Sequence, residues 1–397
     1  MLGCLLGAAG AAKVGYVVSD QRCAGLPRLA LRVADGFCVG LAARKLGAPR
    51  GVLPLEDGRV LVTDMGRWDL PTGRLLLLEA KGTGYAARTL LKGLDRPHGL
   101  QLGPDGKVYL AQADSILRLD LKTHPASTVA VLTGLPSTGR HPIKNFAFGP
   151  DGALYLSRGA PTDHCEEGAR IEQADAHTQC VQAEGADAQA AIWRYSGPGL
   201  AQVSIFARGL RNSTALAFDP RSGKLWQGEN SRDELPGAQG YLADAPHDEL
   251  NLVVPGAHFG WPYCHDRHTP DPTFGKVDCT HYQAPQRLLP PHSAPLGLTF
   301  YDAPQAPPAW RRTLLLTLHG YQTEGHRIVG FRLDDDGLPI GDFVALIDDW
   351  GARPGRQPLG APVDIKVDAM GRIWVTEDRN GTLLVIQPEP RASAQER

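Results

Sequence analysis

The chain has 397 residues, 42% apolar and 21% charged, enough to bury a sizeable core and too hydrophobic for disorder to be its main state. Its 41 Lys and Arg stand against 43 Asp and Glu, a formal charge of −2, which gives no reason to expect nucleic acid or an anionic membrane as partner. With 46 Gly and 32 Pro, about a fifth of the chain, a helical bundle is excluded and many short strands joined by turns are expected.

The chain opens on an apolar run, Met1 to Ala12. It is too short for a membrane span, which needs about 20 residues. It reads equally as the remnant of a secretory or lipoprotein signal, with Cys4 as the lipidated residue, and as an apolar segment packed on the domain. Residues 1–25 are therefore set apart from a single domain at 26–390, with a polar tail at 391–397. Six of the seven cysteines fall into three local pairs, Cys23/Cys38, Cys165/Cys180 and Cys264/Cys279, each separated by 15 residues. Three disulfides are expected, and with them an oxidising compartment, periplasmic or extracellular. No Cys-x-x-Cys occurs, so cysteine is not expected to bind metal.

From residue 51 onward one phrase recurs six times: an apolar strand, an Asp-Gly-like turn and a second alternating strand. Clear copies centre on Asp57-Gly58, Asp105-Gly106, Asp151-Gly152, Ser222-Gly223 and Met370-Gly371, and a degenerate one joins Leu296-Gly297-Leu298 to Leu314-Leu315-Leu316. The first three turns lie 48 and 46 residues apart, room for four short strands per unit. Such units cannot bury both faces alone, so the expected fold is all-β, a six-bladed β-propeller with long rim loops. Ser115 to Leu119 and Ala191 to Tyr195 read as outer strands. Pro161–Ala190 and Arg232–Asp248 read as projecting loops, too polar for core strands.

Residues at a constant distance before each turn should meet near the propeller axis. Arg50, His98 and Lys144 each stand eight residues before a turn glycine, and His141 and Arg211 stand eleven and twelve before theirs. A ring of basic side chains in a slightly acidic chain suits a bound anion carrying several carboxylates or phosphates. The alternative is that these groups pair with Asp64, Asp163 or Asp364, or turn toward solvent. A second polar cluster, Gly228 to Glu234 with Asp248-Glu249-Leu250-Asn251, has the oxygen-rich composition of a Ca²⁺ loop and equally that of a solvated turn.

These residues carry a resemblance. Gly209-Leu210-Arg211-Asn212-Ser213, Trp226 to Asp233, Asp248 to Asn251, Gly260-Trp261-Pro262, and Arg140-His141 ahead of Phe148 to Gly152 resemble the glucose/sorbosone dehydrogenases, including the fungal pyrroloquinoline-quinone (PQQ)-dependent sugar dehydrogenases, over most of the chain from about Gly36. The resemblance implies a six-bladed propeller holding PQQ and Ca²⁺ near its axis and moving hydride from a sugar, polyol or aldehyde hydrate to the quinone C5. It implies His141 as general base, and Arg211 and Asn212 as the pair that binds cofactor and stabilises charge on the reduced quinone. Arg50, Lys144 and His319 join them as cofactor-binding. Ca²⁺ falls near Asn230, Ser231 and Arg232, the last two through backbone carbonyls.

His98 reads as lining the substrate entrance or as a core histidine, and Trp261 as packing between blades. The chain departs from the soluble glucose dehydrogenases where they place two arginines before the last inner strand, having Ala361-Pro362-Val363-Asp364 instead. That points to the sorbosone-type and fungal branches and away from glucose. An external electron acceptor, a quinone, cytochrome or dye, is then required. Two rival readings are a Ca²⁺-dependent propeller lactonase, and a propeller that has lost PQQ and binds a glycan or protein on the same rim.

Overall fold

A computed structural model describes residues 15–123, 126–166, 179–236, 244–320 and 324–389. Met1 to Ala12 with Cys4, the 391–397 tail, and parts of the two long loops lie outside them. The described residues form five four-stranded and one six-stranded antiparallel sheet arranged as a six-bladed β-propeller, with a two-stranded ribbon, Cys264–His265 and Thr269–Pro270, beside them. In blade 1, Pro49–Pro54, Val60–Asp64, Gly73–Lys81 and Gly84–Leu94 run from the axis outward. Blades 2 to 5 repeat this order through residues 100–132, 146–208, 215–291 and 295–347. Ser115–Asp120 and Ala191–Ser196 are third strands, each covered by a fourth, Ser127–Leu132 or Gln202–Arg208.

Both chain ends build blade 6. Pro362–Val367, Ile373–Glu377 and Thr382–Pro388 are completed by Phe37–Ala43, and a hairpin of Val18–Cys23 and Leu26–Leu29 widens the same sheet. The sheet thus begins at Val18, within the segment expected to stand apart through residue 25, and the Cys23–Cys38 disulfide ties the hairpin down.

The sequence pattern explains the stacking. A strand alternates its side chains between two faces, and here both faces are covered, so apolar runs are continuous. Leu75 and Leu77 enter the seam with blade 2, whereas Leu76 and Leu78 enter the seam with blade 6. Six such clusters fill the six seams, and each fully buried leucine contributes about 1.5–3 kcal/mol. The core is therefore radial, which leaves the axis to polar groups.

Hydroxyls staple adjacent blades. Thr63 Oγ1 donates to His98 O (3.1 Å), Thr317 Oγ1 to Val363 O (2.6 Å) and Thr376 Oγ1 to Arg50 O, each crossing from a second strand to the next blade's innermost strand. The approach is close enough to demand glycine: a Cβ on Gly297 would lie 2.4 Å from Val363 O. At the far end of five of the six inner hairpins, all but that of blade 5, the turn glycine has a left-handed backbone, φ +70° at Gly106 for example. Asp105 Oδ1 accepts the Lys107 N–H there, which is why the Asp-Gly phrase recurs.

Topology places the chemistry. The inner strand starts, and the second strand ends, at the rim opposite those turns. Arg50, His98, Lys144 and Arg211 precede or begin inner strands, and His319, Asn230 and Asp378 directly follow second strands, so all lie at one rim.

Candidate functional site

Two clusters form at this rim. In the first, Arg211 is buried and its guanidinium is saturated. Nη2 meets Asp163 Oδ1 at 2.5 Å and Asp233 Oδ1 at 2.9 Å, Nε donates to Asp163 O (3.1 Å), and Nη1 donates to the carbonyls of Asn230 (3.0 Å) and Ser231 (2.8 Å). Burial alone would lower its pKa, but Asp163 and Asp233 outweigh that and raise it. Asp163 is held well below the ordinary carboxylate range: burial opposes this, and His164, Arg211 and the Asp233 N–H overcome it.

His141 lies beside this pair. Its Nδ1 is 2.6 Å from the Ala160 carbonyl, an acceptor, so Nδ1 carries the proton and Nε2 presents its lone pair. Burial and the neighbouring Arg211 push its pKa well below the usual histidine value, so it is neutral at pH 7. Gly159 makes the placement possible, since a Cβ there would lie 2.5 Å from His141 Cβ.

The second cluster joins blades 5, 6, 1 and 2. Asp378 accepts from Arg50 Nη1 (2.6 Å) and pairs with His319 Nε2 (3.0 Å), while Arg50 Nε donates to His98 Nδ1 (3.2 Å). Asp378 is pulled down to about 2; its burial works the other way, and His319 and Arg50 prevail. His98 is buried beneath Arg50 and does not line an entrance; burial and Arg50 hold its pKa far down. Lys144 directs Nζ at Pro136 O and Pro142 O, both 2.7 Å away, and burial with Arg158 nearby lowers it to about 7.

Of the acids weighed as partners, Asp163 does pair with a ring cation. Asp64 pairs instead with Arg74, and Asp364 accepts the Val52 N–H with Lys366 at 3.6 Å. The counter-charges Asp378 and Asp233 were not assigned that role from the sequence. The available signal was an acid directly following the second strand Ile373–Glu377, which topology sends to this rim.

The oxygen-rich cluster is largely committed to the fold. Glu229 Oε1 accepts the Asn212 N–H (2.8 Å), and its Oε2 accepts Ser213 Oγ and Gln227 Nε2. Asp248 accepts the Ser231 and Ala294 N–H groups and Ser293 Oγ. Burial raises Glu229 to about 7 and Asp248 to about 6. Asn230 Nδ2 donates to Pro295 O, and the Arg232 side chain pairs with Asp271 at 2.6 Å. The Ser231 carbonyl, one of two expected to face Ca²⁺, instead accepts from Arg211 Nη1. A divalent cation at that oxygen would sit against a guanidinium, so Ca²⁺ does not fit this arrangement and no chemistry is routed through it. Four basic residues, Arg50, Lys144, Arg211 and His319, gather at this rim, each already holding a partner, and the half-buried Asn212 side chain has no hydrogen bond among the described residues.

Trp261, carried by the long connection of blade 4, lies between blades as expected, against residues of blade 3. It packs with Ala160, Cys180, Ala183 and Ala190 and donates Nε1 to Asp163 O (2.9 Å), so it braces the residue that braces Arg211. All three expected disulfides are present, Cys23–Cys38, Cys165–Cys180 and Cys264–Cys279, and each tethers a loop or hairpin without supplying a group to the chemistry. Cys279 is a disulfide cysteine, as expected. It is buried at the start of the short 3₁₀ turn Cys279–His281, its sulfur is bonded to Cys264, and its carbonyl accepts from His268 Nδ1 at 2.8 Å. Its role is to close the loop that carries Asp271, the partner of Arg232.

Fold and site together define a six-bladed propeller whose chemistry gathers at one axial rim around paired cations and a neutral histidine. Residues 31–389 match the TrAA12-like family, and the chain belongs to it. A PQQ-dependent sugar dehydrogenase of Hypocrea jecorina is 24% identical over 403 aligned positions, covering 89% of this chain and 88% of that protein. An uncharacterised protein of Borreliella burgdorferi is 26% identical, over 44% of this chain and 46% of its own length, so the chain spans about half of that relative. The holo PQQ domain of a Coprinopsis cinerea pyranose dehydrogenase superposes with a TM-score of 0.70 at 19% identity, covering 92% of this chain and 99% of the domain. Among the described residues no helix is long and apolar enough to cross a membrane.

Proposed function

We propose that the protein is a PQQ-dependent dehydrogenase of a sugar, polyol or aldehyde hydrate, with His141 as its general base. The observation that carries this is the Nδ1 contact of His141 with the Ala160 carbonyl, which leaves the neutral ring's Nε2 as the nitrogen with a lone pair, at the rim where basic residues converge. PQQ is a tricarboxylate ortho-quinone, so when bound it supplies anionic handles and a hydride acceptor.

Arg50, Lys144, Arg211, Asn212 and His319 would hold it. His141 Nε2 would take the substrate hydroxyl proton as the same carbon is oxidised. Arg211, clamped by Asp163 and Asp233, would keep a fixed positive charge beside that base. Because Asp378, Asp163 and Asp233 already neutralise these cations, cofactor carboxylates must share or displace them, and anchoring differs from that of enzymes with two late arginines. A calcium ion near Asn230, Ser231 and Arg232 would require Arg211 to release the Ser231 carbonyl. The three disulfides support a periplasmic or secreted location; lipidation of Cys4 and an external electron acceptor complete the reading.

The test is reconstitution of purified protein with PQQ, with and without Ca²⁺. The expected result is a bound-quinone spectrum, bleached by sugars, and dye reduction. No spectral change with either mixture would overturn the proposal, and lactone hydrolysis without PQQ would favour the hydrolase reading. Loading that is indifferent to Ca²⁺ would agree with Arg211 holding its carbonyls.

A further inference from the structure

The rim that carries the axial clusters also carries a separate cavity of about 720 Å³. Arg44, Lys45 and Arg379 line it, with Tyr16, Leu359 and Asn380 among the remaining wall residues. Arg44 and Lys45 stand between Phe37–Ala43 and the inner strand Pro49–Pro54, and Arg379 follows the second strand Ile373–Glu377, which is the side where the axial residues lie. The two sites share a wall: Asp378 turns inward to Arg50 and His319, while the next residue, Arg379, lines the outer cavity.

What distinguishes the cavity is that three cations without an ion pair among the described residues line one concave wall together. Many arginines elsewhere have a carboxylate partner, as in Arg67–Asp69, Arg194–Asp151, Arg221–Asp302 and Arg353–Asp349. Arg44, Lys45 and Arg379 are exposed, and none has a carboxylate within 4.0 Å among the described residues. Among the described residues no acid lines the cavity. Glu377, the nearby carboxylate in the core, is buried and accepts from Ala361 N, Asn380 N and Thr382 Oγ1. Three unpaired cations in a chain of net charge −2 form a local positive field that bulk composition does not explain.

We propose that this cavity is a second binding site, which takes a carboxylate-bearing saccharide beside the axial site. The arginine forks match carboxylate geometry, and Tyr16 and Leu359 give an apolar wall for the face of a sugar ring. The volume is that of a small-molecule pocket. The anion preference comes from the cavity alone; the saccharide rests on the function proposed above.

The test is calorimetric titration of the full chain, without added quinone, with trigalacturonate and with the neutral trisaccharide maltotriose. Trigalacturonate should bind, with affinity falling as salt is raised. It should weaken by about tenfold or more in the Arg44→Glu/Arg379→Glu variant, each lost charged hydrogen bond being worth about that factor. Maltotriose should show no difference between wild type and variant. Equal trigalacturonate affinity in wild type and variant, or an equal loss of maltotriose binding, would overturn the site. Arg44→Gln/Arg379→Gln, with circular dichroism melting, separates loss of charge from loss of fold. Quinone loading should be unchanged in both variants. Failed uronate binding with normal loading sinks only this site, and failed loading with intact uronate binding sinks only the dehydrogenase reading.

Discussion

Replacing Asp163 with Asn removes one of the two carboxylates that neutralise Arg211 while keeping the side chain's size. Asp163 is buried, its Oδ1 meets Arg211 at 2.5 Å and accepts the Asp233 N–H at 2.9 Å, and Oδ2 lies 3.7 Å from Arg232. Breaking a buried pair outright costs about 3–5 kcal/mol. Arg211 keeps Asp233 and two carbonyls, so the loss is closer to that of one charge-assisted hydrogen bond, about 2–3 kcal/mol. Across 397 residues the unfolding entropy is about 0.8 kcal/mol/K, so Tm falls by only about 3 °C, and denaturant titration is the better assay.

The effect should depend on pH in a definite sense. The folded pKa of Asp163 lies below its unfolded value, so its stabilisation is complete above about pH 4 and disappears as pH falls through the folded value. The gap between wild type and Asp163→Asn should therefore be full at pH 7 and should narrow toward pH 3. A gap that is absent at pH 7, or equal at both pH values, would refute the assigned ion pair.

His141→Ala should keep quinone loading and lose about 10²- to 10⁴-fold in turnover, measured by dye reduction, and wild-type turnover should show no histidine inflection between about pH 6 and 8, since His141 is already neutral there. Gly297→Ala should destabilise by about 1–3 kcal/mol in urea titration, because the new Cβ meets the Val363 carbonyl rather than a side chain that can swing away. Glu377→Gln should gain on wild type as pH rises from 5 to 8. Burial raises Glu377 from 4.5 to about 7, so its stability contribution is full below pH about 4.5 and declines through about 7, a swing of up to about 3 kcal/mol that the amide lacks. Replacing both Cys264 and Cys279 with Ser opens a 15-residue loop and should cost about 3 kcal/mol in denaturant titration, a difference that vanishes when both proteins are reduced.

Local signals carried most of the fold. The Asp-Gly-like turns repeat because five of the six inner hairpins turn on a left-handed glycine, and the equal cysteine spacings mark three short-range crosslinks. Counting back from the turns brought Arg50, His98, Lys144 and Arg211 to one rim, as the topology confirms. What counting along a strand cannot give is the direction a side chain takes beyond the backbone. Lys144 bends to two loop carbonyls, Arg50 covers His98, and Arg211 reaches acids and carbonyls contributed by other loops. The pairings Arg50–Asp378 and Arg211–Asp163 span 328 and 48 residues and leave no periodic trace.

The sheet of blade 6 draws three strands from near the amino end and three from near the carboxyl end. The circle of sheets stays open during synthesis until the last strand, Thr382–Pro388, has emerged from the ribosome. Until then one side of Val52, Val60 and Val62 lacks Leu383 and Val385 as neighbours, which leaves a sticky flank for chaperones to shield. A chain shortened by its final ten described residues would lose that latch altogether, so carboxyl-terminal truncation should be tolerated far less than grafting a peptide onto the outer face of any blade.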